Sequence, residues 1–454
     1  MSCKIKYNGA EVVTLEDGQT VKLECEDKTM EYDLLIENIP TAKLFVTAPT
    51  GSTVTCVKGG TTLTAVEQSS VWLFSITDFG VWTVNATKSG QSTSQQVEIT
   101  GAGEYHVELA YVKIYGAEWD GSASTAWSRT DDAAGFADPN PAVNNGTGSS
   151  PFDNLYPWSG MVKEERTGGT MVKIPKFWFK WTESGTHLKL QIADGPVDGF
   201  TVSPAHQDRG DGAGERDYVY VGRYHCHTSN WKSQSGGAPK AGITRSSARS
   251  SIHNLGANIW QYDFAMWQTI FMLYLVEFAD WNSQAKIGYG CGNNSATENM
   301  GATDNMQYHT GTAKSSRTTY GVGVQYRWIE DLWGNVYDWL DGCYYNGSGL
   351  NLIKKPANFS DSSGGTSIGT PSDGYPKVMS VATASGFEYA IYPTTAGGSD
   401  STYVPDGWYF NSSNPCLRVG GSYGQVRGYG LFRVDYYSTA GTDANIGCRL
   451  QELP

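Results

Sequence analysis

The chain has 454 residues, with 33 basic against 46 acidic side chains and a formal charge of -13. Charged residues make up only 17% and aromatics 13%, the reverse of a disordered polypeptide, and the acidic excess excludes nonspecific nucleic-acid binding, which needs a basic footprint. At roughly 100–200 residues per domain, this length predicts two to four units with sizeable cores.

Residues 1–32 read as an N-terminal β segment that serves as an attachment piece. Short alternating runs, Glu11–Thr14 and Thr20–Leu23, flank the turn Glu16-Asp17-Gly18. Ser2-Cys3-Lys4-Ile5-Lys6 leads straight into polar residues, so no secretory signal is predicted and synthesis in a reducing cytoplasm is expected. Between 33 and 112 lie Ala42–Thr47, Ser52–Val57, Thr61–Thr64, Val71–Phe74, Gly80–Thr87, Gln95–Ile99 and Tyr105–Leu109. Their length and spacing predict a small, Ig-like β-sandwich. It carries no titratable cluster, which suits a spacer or attachment module.

Residues 113–454 form the remaining domain. The Gly/Ser/Asn/Asp/Pro-rich stretch 121–150, anchored by Glu118-Trp119-Asp120 and Phe152-Asp153, is expected to be an ordered loop. Two helices follow. Ser246–Leu255 should stop at Gly256 as its C-cap; Tyr262–Trp281 should start behind Asp263 and place Trp267, Phe271, Tyr274 and Phe278 on one core face. Its greasiest part, Phe264–Ala279, is 16 residues long and contains Gln268 and Glu277. A bilayer crossing takes about 20 apolar residues, so a buried helix and no membrane insertion is expected.

The eight cysteines (3, 25, 56, 226, 291, 343, 416, 448) include no CxxC pair, which points to neither a zinc scaffold nor a disulfide framework. They leave room for one bridge, Cys416–Cys448. On a strand His225-Cys226-His227 would put its two histidines on one face and the cysteine on the other, half a site with no third partner, so no metal is expected. The loop Asp208–Glu215 lacks the ladder and terminal Glu of a calcium loop and reads as a solvated turn. Between Arg418 and Asn445 there are four tyrosines and six glycines, and no Lys, Glu, Trp or Met. Tyr supplies broad amphipathic contact at low entropic cost, and Gly and Ser supply adaptable backbone, as in antibody paratopes.

Two segments carry a family pattern. Trp328-Ile329-Glu330-Asp331-Leu332-Trp333-Gly334-Asn335-Val336-Tyr337-Asp338-Trp339 resembles the E-x-x-G-N-V-x-E-W element of the formylglycine-generating-enzyme branch of the C-type lectin fold. Arg418-Val419-Gly420-Gly421-Ser422-Tyr423, with Asn445-Ile446-Gly447-Cys448-Arg449-Leu450, is similar to its R-G-G-S-W … N-I-G-F-R ending. The resemblance implies an α+β chain: a C-type lectin-like C-terminal domain with two helices and irregular β structure, preceded by the Ig-like sandwich. More narrowly, the chain resembles the variable proteins of diversity-generating retroelements in phage and prophage tails, which end in a mutable segment inside a fixed G-G … I-G-C-R-L frame. Phe177-Trp178-Phe179-Lys180 and Val202-Ser203-Pro204-Ala205-His206 are similar to gut-phage tail proteins of this kind.

The catalytic branch of the fold places a copper-binding cysteine pair shortly after Gly-Gly-Ser. Gln425 and Gly430 stand at those places here, and neither is a nucleophile or soft-metal ligand. The resemblance therefore implies a binder, not an enzyme, with no cofactor. Retroelement diversification at adenines turns AAC codons into Tyr, Ser, Gly, Arg, Asp, Val or Phe but never Lys, Glu, Trp or Met, a restriction the tail obeys apart from Gln425. The implied setting is the virion tail of a phage, after synthesis in the bacterial cytoplasm. The implied partners are a host-cell surface protein or glycan and, through the N-terminal region, other tail proteins. A homo-oligomer is compatible, although no heptad seam is present.

The variable segment spans about 407–445. Its expected contact residues are Tyr409, Arg418, Ser422, Tyr423, Gln425, Arg427, Tyr429, Arg433, Asp435 and Tyr437. Strand alternation should turn Arg433, Asp435 and Tyr437 outward and Val434 and Tyr436 inward. The expected structural frame is Trp333, Asn335, Trp339, Gly420, Gly421, Ile446, Gly447 and Arg449. Two other readings stay open: a lectin-fold oxidoreductase with relocated chemistry, and a purely structural tail or baseplate component.

Overall fold

The computed structural model describes residues 3–7, 10–15, 35–38, 40–88, 91–314 and 321–454, and the chain divides into two compact units, Met1–Val112 and Lys113–Pro454. In the first unit, Cys3–Tyr7 lies between Ala10–Leu15 and Leu35–Asn38 in an antiparallel sheet. Leu35–Asn38 therefore pairs with the N-terminal strands and not with the sandwich, which moves the expected break at 32 beyond that strand. Thr20–Leu23 and Cys25 lie outside the described residues.

Two four-stranded sheets follow. One has the order Gln91–Ile99, Gly80–Lys88, Thr53–Lys58, Thr61–Thr64; the other Gly103–Glu108, Ala42–Thr47, Val71–Ile76, Glu67–Gln68. Period-two patterning explains them. Ala42, Leu44 and Val46 alternate inward, as do Trp72, Phe74 and Ile76 from the neighbouring strand and Trp82, Val84 and Ala86 from the other sheet, all into one core. Gly103–Glu108 runs parallel to Ala42–Thr47.

Among the described residues strand (38%) outweighs helix (9%), a β-rich α+β composition. In the second unit, the stretch expected to be a loop contains the strand Trp127–Asp131, which pairs with Ile114–Trp119. The first helix, α1 (Arg245–His253), is capped by the Thr244 hydroxyl, which accepts the Ser247 N–H. It ends at Asn254 in right-handed geometry, and the Gly256 N–H bonds back to His253 O at 3.1 Å. Gly256 is thus not a left-handed C-cap, because a tight right-handed turn already closes the helix.

Helix α2 (Phe264–Phe278) starts behind Asp263, whose carboxylate accepts the Met266 N–H at 2.8 Å, the expected N-cap. All of its residues are buried, so the aromatic stripe is part of burial on every side. Trp267 meets Trp408 and Phe271 meets Phe432, with centroids 5.5 and 5.6 Å apart. The one charge inside, Glu277, is neutralised by Arg327 at 2.5 Å and also accepts from the Tyr326 and Ser150 hydroxyls. Among the described residues no helix is long and apolar enough to cross a membrane. A short third helix, α3 (Ser283–Lys286), follows.

Two sheets position the C-terminal segment. Leu450–Glu452 is inserted between Tyr218–Gly222 and Ile259–Gln261. A four-stranded sheet then runs Val434–Tyr437, Cys416–Val419, Tyr337–Leu340, Ile446–Gly447, joining both family-like segments in one hydrogen-bonded layer.

The described cysteines 56, 226, 291, 343, 416 and 448 are buried free thiols. The one bridge the spacing left room for, Cys416–Cys448, does not form: both are free thiols, Cys448 beside Cys226 and Cys416 near Arg245. The strand before His225-Cys226-His227 stops at Gly222, so the two histidines do not share a strand face. Buried His225 bonds through Nδ1 to Asp338 at 2.9 Å, and His227 Nδ1 meets the Ser229 hydroxyl at 2.8 Å.

Candidate recognition surface

The frame begins where the chain turns through Asp331, Gly334 and Asn335, all with left-handed φ (49°, 86° and 62°). Asn tolerates this conformation better than most residues, and Asn335 is held in it from several sides. Its amide donates to Glu298 O at 3.2 Å and Asp331 Oδ2 at 3.3 Å, and its Oδ1 accepts the Glu298 N–H at 3.0 Å. The Asn335 carbonyl accepts the Tyr423 N–H at 2.8 Å, tying this turn to the segment after Gly421. Buried Trp333 and Trp339 donate their indole N–H groups to Gly288 O and Ile243 O, both at 2.9 Å.

Each expected frame glycine stands at a close approach. A Cβ on Gly420, whose φ is +74°, would lie 2.7 Å from Leu332 O; one on Gly447 would lie 2.7 Å from Lys240 O. On Gly421 it would lie 2.7 Å from Tyr429 Cβ and 3.0 Å from Tyr429 O. Gly421→Val should therefore lower the melting temperature by several degrees with no selective change in ligand choice, measured by thermal unfolding beside binding. Normal stability with altered specificity would remove Gly421 from the frame. Ile446 is fully buried, as is Arg449, whose guanidinium reaches Asp338 and four backbone carbonyls. Burial alone would raise the Asp338 carboxyl, but His225 and Arg449 hold it below the usual carboxylate range.

From this frame residues 422–429 project as a loop. Its backbone is pinned from elsewhere: Asn293 N–H to Gln425 O at 2.8 Å, Asn294 N–H to Tyr423 O at 2.7 Å, and Gln284 Nε2 to Val426 O at 2.8 Å. Gly424, Val426 and Arg427 are exposed and Tyr423 is half-buried, while the Arg427 guanidinium lies 6.0 Å from the Tyr289 ring centroid. Ser422 and Gln425 are tied to one another within the loop. Ser422 is 1% exposed, and Gln425 Oε1 accepts both its N–H and its hydroxyl, so the two close the loop base.

Behind the loop, arginines and tyrosines interlock. Arg433 lies over the rings of Tyr409 and Tyr429, 4.5 and 4.3 Å from their centroids. Arg418 lies over Tyr337 and Tyr437, at 4.2 and 4.7 Å. Asp435, directly across the sheet from Arg418, accepts from Arg433 at 3.0 Å. Arg433 is only 4% exposed, which corrects its expected outward placement. The strand begins one residue later, at Val434, and ring stacking with the Asp435 contact makes burial of this cation tolerable. Within the strand the alternation holds, with Val434 buried in the main core and Asp435 and Tyr437 half-exposed on the other face. Tyr436 is only partly buried against that core.

Asp406 anchors the far end of the loop by accepting the Gly430 N–H at 2.7 Å and the Phe432 N–H at 3.0 Å. Burial pushes its carboxyl up to about 6, against the opposing pull of these donors and of Arg433. A raised folded-state value stabilises the fold fully below the unfolded value near 4, and that contribution is lost as pH rises toward 6. The melting temperature of the parent minus that of Asp406→Asn should therefore shrink between pH 4 and pH 7. A difference constant across that window would show that Asp406 does not titrate there.

Tyr289, Asp406, Gln284 and the Asn293-Asn294 pair were not legible as site residues, because they come from outside the quoted motifs; Tyr337 lies within one, but nothing local marks its ring as a stacking partner of Arg418. Burial pushes the thiols of Cys416 and Cys56 up to about 11 and about 12, which disfavours the reactive thiolate. Among the described residues no group of three or more His, Cys, Asp or Glu is placed to hold a metal ion. Neither a protein-family model nor a curated protein matches the chain.

Proposed function

We propose that this chain is a non-catalytic receptor-binding protein of a phage or prophage tail. Its second unit would be a C-type lectin-like domain of the retroelement-diversified kind, recognising a host-surface protein or glycan through the segment 407–445. The observation that carries this reading is the loop 422–429, where exposed Arg, Val and half-exposed Tyr side chains stand on backbone fixed by Gln284, Asn293, Asn294 and Asn335. Side chains of this type can vary on such a support without unfolding it, which is the economy of a matured paratope. Tyr and Arg are also the residues most enriched at binding hot spots.

Tyr423→Ala and Arg427→Ala should each weaken adhesion to the susceptible host about thirtyfold, the equivalent of ~2 kcal/mol. Melting temperatures should stay within a few degrees, as is usual for exposed positions. Early unfolding of both variants would make these residues structural and move the recognition surface elsewhere. Sequencing of the encoding locus tests diversification separately: a near-copy of the 3′ coding end, differing at adenines beside a reverse transcriptase gene, is expected, and its absence would contradict that part of the reading.

A further inference from the structure

Two guanidinium groups on the variable face share a single carboxylate. Arg433 Nη2 and Arg418 Nη2 lie 3.0 and 3.5 Å from the same Asp435 Oδ2. Arg418 Nε and Nη1 and Arg433 Nε are shielded from solvent and have no acceptor among the described residues. The tyrosine rings lying over these groups attract their charge, but guanidinium N–H bonds lie in the plane of the group and need acceptors at its edge. Buried donors without acceptors are uncommon in folded proteins and call for an explanation, a bound ion among them.

The local charge points the same way. From residue 409 to 437 the chain carries Arg418, Arg427 and Arg433 against Asp435 alone, within a protein of net charge -13. The nearby carboxylates are already engaged, Asp406 by two backbone N–H groups and Asp443 by the Tyr437 hydroxyl at 3.2 Å.

We infer that this cluster binds an oxyanion, the carboxylate or phosphate of an acidic host-surface ligand, with Arg418 as the anchor and Arg433 beside it. The inference deepens the recognition reading and rests on it. Arg418 is the more available of the two, since its contact with Asp435 is the longer and its side chain retains 12% exposure against 5% for Arg433. Tyr437 covers it from the half-exposed side, tethered through its hydroxyl to Asp443. Displacement of that one ring would open this side of the group to solvent. The incoming oxyanion then takes the unpaired donors in charge-assisted hydrogen bonds, the interaction for which a planar guanidinium is better suited than an ammonium.

The test is thermal unfolding of the full chain in sodium glucuronate, sodium phosphate and sodium chloride at matched ionic strength, for the parent, Arg418→Gln and Arg418→Lys. Glucuronate or phosphate should raise the parent's melting temperature above its value in chloride. The shift should vanish in Arg418→Gln and weaken at least severalfold in Arg418→Lys, which keeps the charge but not the planar donors. A larger response to glucuronate assigns a uronate-type carboxylate; a larger response to phosphate assigns a phosphorylated ligand. Equal melting of the parent in all three salts overturns the site, and so does an undiminished shift in Arg418→Lys if Arg418→Gln fails to fold. A chain that adheres to host cells without an oxyanion shift keeps the recognition reading and loses this site. An oxyanion shift in a chain that does not adhere has the opposite consequence.

Discussion

Arg449→Met is expected to destabilise the protein by about 3–5 kcal/mol, the range for removing one member of a buried ion pair. Arg449 is fully buried and donates to Asp338 Oδ2 at 3.0 Å, to Gly222 O and Arg223 O at 2.9 and 3.1 Å, and to Glu330 O and Asp331 O at 2.8 and 2.9 Å. The methionine would fill much of the volume and satisfy none of these acceptors. Among the described residues Asp338 would keep only His225 as a side-chain partner, and each stranded carbonyl would add to the cost. Because Arg449 and His225 hold the Asp338 carboxyl below its ordinary range, that carboxylate stabilises the fold at neutral pH, and its contribution is lost as pH falls through the folded-state value. Denaturant unfolding at neutral pH measures the effect. A loss under about 1 kcal/mol would mean that water replaces the guanidinium and that the residue is not the tie between the three segments it joins.

Trp339→Ala should cost about 3–5 kcal/mol, as large-to-small changes in a closed core do. The residue is fully buried, bonds to Ile243 O at 2.9 Å, lies across the sheet from Arg418, and meets the Tyr437 ring edge-on with centroids 6.1 Å apart. Its loss would leave a cavity beneath the Arg418–Tyr437 stack, so host adhesion should fall together with the melting temperature. A variant that melts like the parent would place Trp339 outside the load of the core.

How much of this was legible in the sequence depended on how local the cause was. Ala42–Thr47 was readable to the residue from its period-two burial, and Thr61–Thr64 from its β-branched run after the turn Gly59-Gly60, both local signals. Asp263 announced α2 because an N-cap acts three residues ahead of itself. The glycines 420, 421 and 447 were readable from the family-like frame, and each proves to sit where a Cβ has no room. Arg433 was misplaced because alternation governs only residues inside a strand, and because its stacking partners Tyr409 and Tyr429 lie on separate segments. Ser422 and Gln425 look like surface polar residues in sequence, yet satisfy one another at the loop base. The burial of α2 was legible in its apolar run, but its packing partners Trp408 and Phe432 were not, since they come from the far C-terminal segment.

The central claim is that recognition resides in the exposed side chains of the loop 422–429, separable from the frame that carries them. The most direct measurement is adhesion of the purified chain to susceptible host cells with Tyr423, Val426 and Arg427 all changed to alanine, while Ser422, Gln425 and the glycines are kept. The account predicts that adhesion is lost and that the melting temperature stays within a few degrees of the parent's. Full adhesion by this variant at parental stability would contradict it, and would return the C-terminal segment to a structural role in the tail.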